Sequence, residues 1–210
     1  MFRKFFLLLV PPIFSVIMRR VFKNNLIFDG DEEFFKAEIA KAEVYLEFGV
    51  GGTSLIVDKI DGIKQVTSVD TSQKWIEKIR DSVTNPEKFD FHFIDLGPLK
   101  EWGTPTSYDY RNSFLNYIDF VNLNQIVPDL ILIDGRFRVA TFLSCLLNST
   151  EGTKIIFDDY VERKNYHIVE SIIPPDKVSG RQAIFTVRRL NKTTIKEARR
   201  LIEKFEFVMD

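Results

Sequence analysis

Glycines and carboxylates are the residues of this sequence best placed to do chemistry. Glu47-Phe48-Gly49-Val50-Gly51-Gly52 follows an apolar run, and a Gly-x-Gly at such a point lets the backbone turn tightly and approach a ligand closely. Acidic residues then recur at Glu47, Asp70, Asp95, Asp134 and Asp158, each within or directly after a short apolar run. Glu47 beside the turn would repel phosphate and suits a ligand carrying an ammonium group. Asp70, about twenty residues beyond the turn, can accept hydrogen bonds from both hydroxyls of a ribose. A dinucleotide fingerprint needs a third glycine where Ser54 stands, so a nicotinamide or sugar nucleotide fits less well. The Walker Lys-Ser/Thr pattern and the Gly-x-Ser-x-Gly nucleophile elbow are both absent. Any one of these acids also reads as a helix cap or a turn former. Five in succession, each at the end of an apolar run, point to a shared rim.

The elements that must position these residues alternate in type. Strands are expected at Val44 to Phe48, Gln65 to Val69, Phe91 to Ile94, Leu130 to Ile133 and Ile155 to Phe157. Apolar residues at helical spacing mark Ser54 to Ile60, Ser72 to Val83, Tyr110 to Asn122 and Arg138 to Leu147. A helix at Tyr166 to Ile172, a late strand or hairpin at Ala183 to Val187 and an amphipathic helix at Thr194 to Phe205 complete the pattern. Thr193 or Thr194 is the expected cap of that last helix. Alternation of this kind implies right-handed crossovers and a doubly wound α/β fold, with ligands at the carboxyl ends of the strands.

Glu47-Phe48-Gly49-Val50-Gly51 resembles the first motif of the class I S-adenosylmethionine (SAM)-dependent methyltransferases, and Val69-Asp70 their second. Phe93-Ile94-Asp95-Leu96 is similar to the segment that lies against adenine in that family. Leu132-Ile133-Asp134-Gly135 and Ile156-Phe157-Asp158-Asp159-Tyr160 resemble the fourth and fifth strand ends of its O-methyltransferase-like branch. Further details, such as Asp134-Gly135-Arg136-Phe137-Arg138, resemble a bacterial methyltransferase-like group. The resemblance spans roughly residues 43–189, with the segments in the family's order. It implies a mostly parallel, seven-stranded Rossmann-like sheet whose last strand runs antiparallel. It also implies SAM bound by Glu47, Gly49, Gly51, Asp70, Asp95 and Leu96, and O-methylation of a small molecule or glycan. For the chemistry two arrangements stand open. Asp134, Asp158 and Asp159 hold magnesium, as a similar trio does in cation-dependent relatives; or a carboxylate such as Asp134 or Asp159, or else His92, is a general base. A methyltransferase-like domain that binds a nucleoside or a partner without transferring a methyl group is the alternative.

Around the same rim stand Arg136, Arg138, Arg163, Lys164 and Arg181. They either recognise an anionic substrate or balance the carboxylates. Trp102 and residues 103–108 read as a loop over the site.

The chain has 210 residues, 45% hydrophobic and 28% charged, which suits one sizeable core in a domain at 31–210. A formal net charge of −1 argues against a general nucleic-acid binder. The lone Cys145 excludes an internal disulfide and fits a reducing, cytoplasmic setting. With only His92 and His167, a zinc site built on several His and Cys ligands is excluded. Residues 1–30 form an apolar extension with Arg3, Lys4, Arg19 and Arg20 at its flanks and Pro11-Pro12 at its middle. This stretch is too short and too broken to span a bilayer, which needs roughly 20 residues. It reads as a broken helix on the domain, as a peripheral membrane or partner contact, or as an uncleaved export signal. Oligomeric state is left open.

Overall fold

A computed structural model describes residues 32–210; the extension, with the membrane contact expected of it, lies outside the described residues. Seven strands form one sheet: β1 (Val44–Phe48), β2 (Gln65–Asp70), β3 (Phe89–Phe93), β4 (Leu130–Ile133), β5 (Lys154–Phe157), β6 (Lys177–Ser179) and β7 (Gln182–Thr186). Their order is β3-β2-β1-β4-β5-β7-β6. The first five are mutually parallel, whereas β7 runs antiparallel to β5 and to β6. The strand order reverses between β1 and β4, and in such sheets the crevice above that reversal takes the ligand.

Among the described residues, seven α-helices pack around the sheet: α1 (Glu32–Ile39), α2 (Gly52–Val57), α3 (Gln73–Arg80), α4 (Phe114–Ile118), α5 (Phe120–Asn124), α6 (Arg138–Asn148) and α7 (Lys192–Phe205). The central strands alternate in the two faces they serve, as a pleated strand must. Leu46, Phe48, Ile131, Ile133, Ile155 and Phe157 face a core shared with α4 to α7. Tyr45, Val66, Leu130, Leu132 and Ile156 face the other way, onto Phe35, Ile39 and Val57. Cys145 is fully buried in the first of these cores.

Several local readings need correction. The expected helix at Tyr110 to Asn122 is broken into a 3-10 turn and two short helices, α4 and α5, which separate at Asp119. Where a helix is expected at Tyr166 to Ile172, the chain forms a 3-10 segment, Lys164–Ser171, which ends before Ile172. The cap of α7 is Asn191, whose side chain accepts from the Thr194 amide at 2.9 Å, so neither threonine takes that role. Helix α1 was not foreseen. None of the helices among the described residues is long and apolar enough to cross a membrane.

Candidate active site

Strands β1, β4 and β5 each continue the ladder one residue beyond their end. Gly49 N–H donates to Val69, Asp134 N–H to Phe48 and Asp158 N–H to Ile133, at 2.9 to 3.0 Å. This draws the β1 turn, Asp134 and Asp158 onto one rim. Gly49 holds φ +99°, and a Cβ there would stand 3.0 Å from the Asp134 carbonyl group. Only glycine lets the β1 turn lie that close to the β4 end. Above the rim opens a cleft of about 1140 Å³, a little larger than an ordinary small-molecule pocket. Gly49, Gly51, Asp70, Asp134 and Asp159 all line it, so five of the residues singled out from sequence meet in one place.

Glu47 does something other than touch a ligand. It is fully buried on the face of β1 beneath the turn. Its carboxyl accepts from Thr53 at 2.8 Å, Ser68 at 2.7 Å, Tyr45 at 3.3 Å and also from Ser54. Burial pushes its pKa upward against the pull of these hydroxyls. The direct contact with an ammonium group is therefore corrected: Glu47 ties β1, β2 and α2 together under the cleft. Asp70 is the anchor at the surface of the site. Its two oxygens accept from the Val50 amide at 2.8 Å and the Ser72 amide at 2.7 Å, which holds the glycine turn against the end of β2. Desolvation raises its pKa, opposed by those amides.

Asp95 and Leu96 are also corrected. Asp95 is exposed and spends Oδ1 on the Gly97 amide at 2.9 Å, while Leu96 is buried in the core; neither lines the cleft. Their place along the wall is taken by residues 99–104, a tight hairpin that the sequence reading placed too far along the chain. Lys100 N–H donates to Thr104, and Thr71 and Arg136 each bond to the hairpin, at Gly103 and Thr104. At its tip Trp102 is 87% exposed with a φ of 62°. His92 packs edge-on against Phe120 and is absent from the cleft wall, which removes it as a base.

The carboxylates of Asp134, Asp158 and Asp159 do converge, with ligand atoms all within 4.8 Å of one another. They are nevertheless already served by three arginines. Arg181 forks onto the buried Asp158, at 3.0 Å through Nε and 2.6 Å through Nη2. Arg138, only 3% exposed at the start of α6, reaches Asp134 at 3.0 Å and Asp159 at 3.1 Å. Arg163 meets Asp159 at 2.9 Å. Three guanidinium groups lie within ion-pair distance of the three carboxylates, and Arg181 with Gln182 encloses Asp158 completely, so the charge a hard cation would balance is already met. The donor set does not fit magnesium, and the metal expectation for Asp134, Asp158 and Asp159 is set aside.

Asp134 remains distinctive. Desolvation and the adjoining Asp158 push its carboxyl up to about 8, with Arg138 opposing. Its side chain still has 30% exposure toward the cleft. Tyr117 and Trp75 also line the cleft and were missed, because a tyrosine and a tryptophan at helical spacing read as core packing. Lys164, by contrast, is exposed and away from the wall.

No family model and no curated protein matches the chain. Among solved structures, it is similar to a methyltransferase-like protein from Silicibacter pomeroyi, at 28% identity and TM-score 0.74, over 85% of this chain and 96% of that one. It is also similar to the N-methyltransferase NodS from Bradyrhizobium japonicum in complex with S-adenosyl-L-homocysteine, at 10% identity and TM-score 0.50, over 77% of this chain and 87% of the other. With this strand order and these neighbours, the chain has the class I SAM-dependent methyltransferase fold.

Proposed function

We propose that this protein is a SAM-dependent methyltransferase that methylates a hydroxyl of a small molecule or glycan, with Asp134 as the general base. The observation that carries the reading is Asp134 itself: a carboxyl tuned toward neutral pH, on the wall of the same cleft as the glycine turn and Asp70. Gly49 to Gly51 would hold SAM, with Asp70 to accept from its ribose hydroxyls, and SAM would supply the methyl group. An acceptor oxygen attacks the sulfonium methyl in line. The new C–O bond forms as the C–S bond breaks, the electron pair stays on sulfur, and Asp134 carries away the acceptor proton. This route needs no metal, in keeping with the arginines that balance the charge of Asp158 and Asp159.

Calorimetry with S-adenosyl-L-homocysteine and with NAD tests the cofactor. The homocysteine product should bind and NAD should not. Asp70→Ala should weaken that binding by about 1–3 kcal/mol, the worth of a hydrogen bond to a charged partner. If the unaltered chain binds NAD and not the SAM product, the reading fails.

A further inference from the structure

Arg136 differs from every other arginine on the cleft wall. Arg138, Arg163 and Arg181 are each committed to Asp134, Asp158 or Asp159. Arg136 is half-buried, lines the cleft and has no carboxylate within ion-pair distance among the described residues. Its guanidinium makes one side-chain bond, from Nη1 to Thr104 Oγ1 at 3.3 Å. Asp70 and Asp210 feel its charge only through space. Desolvation and the neighbouring Arg138 pull its pKa down, as expected of a cation without a close counter-charge.

Its backbone is held firmly. The Arg136 amide donates to the Tyr117 hydroxyl at 3.2 Å, and its carbonyl accepts from Thr141 at 3.3 Å. Gly135 before it has no room for a side chain, since a Cβ would stand 1.8 Å from that same hydroxyl. A long cationic side chain on a fixed backbone, bonded at its tip to the wall hairpin, has little conformational entropy left to lose on binding. Several of its N–H donors remain for a planar or tetrahedral anion.

We propose that Arg136 anchors the methyl acceptor through a carboxylate or phosphate group, so that the acceptor is an anion. The assignment rests on the methyltransferase reading above. Arg136 and Asp134 line the same cleft, so an anion on the guanidinium keeps the rest of the acceptor within the space that the base also faces. The cofactor's own carboxylate is the other source of the same chemistry, and the test separates the two.

The test follows arginine Nε–Hε resonances by NMR while the full chain, saturated with S-adenosyl-L-homocysteine, is titrated with inorganic phosphate and separately with benzoate. Calorimetry with the homocysteine product runs in parallel on the unaltered chain, Arg136→Gln and Arg136→Lys. One resonance, missing from both variants, should shift saturably with an anion, and the product's affinity should change less than twofold in Arg136→Gln. Absence of any saturable shift at Arg136 overturns the proposal. So does a tenfold or greater loss of product affinity in Arg136→Gln, which would assign the residue to the cofactor's carboxylate. An unaltered chain that bound no S-adenosyl-L-homocysteine would instead overturn the methyltransferase reading on which this one stands.

Discussion

At the residue scale, similar carboxylates have been given different work by what surrounds them. Glu47 receives four hydroxyls and serves the frame. Asp158 receives Arg181 and Gln182 and has no exposed surface. Asp134 is left with one guanidinium, a neighbouring carboxylate and an opening to the cleft, which is the environment of a base poised near neutrality. As the proposed base, Asp134 would take a proton only when it is ionised, so kcat/KM should rise with pH through a midpoint near 8. Asp134→Asn should lower turnover by about 10²–10⁴-fold and abolish that limb while product binding persists. The measurement is methyl transfer from labelled SAM to a panel of anionic hydroxylated small molecules and glycans. A variant that kept the limb would assign the base elsewhere.

At the element scale, the site depends on how closely turns approach one another. The β4 turn runs through Gly135 under the Tyr117 hydroxyl, which reaches over from α4. Phe137 then takes a left-handed backbone, φ 51°, and delivers Arg138 inward at the start of α6. Gly135→Ala should therefore displace either the turn or Tyr117, lowering stability by about 1–3 kcal/mol as overpacked sites do. Thermal unfolding should show partial recovery in Gly135→Ala/Tyr117→Phe, because the nearest clashing atom is gone. Equal loss in the single and double variants would place the strain in the backbone. The hairpin at residues 99–104 is an element that no periodicity could announce. It is held by Thr71, Arg136, its own backbone bonds and the one apolar contact of Leu99 with the core.

At the scale of the whole molecule, buried acids make stability depend on pH. Asp134 ordinarily titrates at 3.8 and is raised to about 8 in the folded chain, and Glu47 is shifted in the same direction from 4.5. Between the two values of each group, the folded chain holds a proton that the unfolded chain has released. Stability therefore falls as pH rises across that window. Asp134→Asn removes one such group, so its stability relative to the parent should improve steadily from about pH 4 to about pH 8, read from urea midpoints. An unchanged difference across that range would mean that Asp134 is not protonated in the folded chain.

What the sequence determined by itself was the succession of β1 to β5 along the chain, a late strand or hairpin, and the rim that gathers the strands' carboxyl ends. Apolar runs of strand length, broken by Gly and Asp, are local signals, and parallel crossovers leave their carboxyl ends on one edge. Gly49, Gly51, Asp70, Asp134 and Asp159 were legible for that reason. Only the tertiary structure decided the partners. Glu47 meets Ser68 from a neighbouring strand, Asp158 meets Arg181 from the loop before β7, and Arg138 lies beneath two strand ends at once. Charge type is written in the chain, but whether a carboxylate becomes a strut, a counter-ion or a base depends on which cation or hydroxyl arrives within about 3 Å. Those arrivals are set by contacts between residues far apart in sequence. The same accounting left Arg136 as the arginine of the cleft wall with no carboxylate beside it among the described residues.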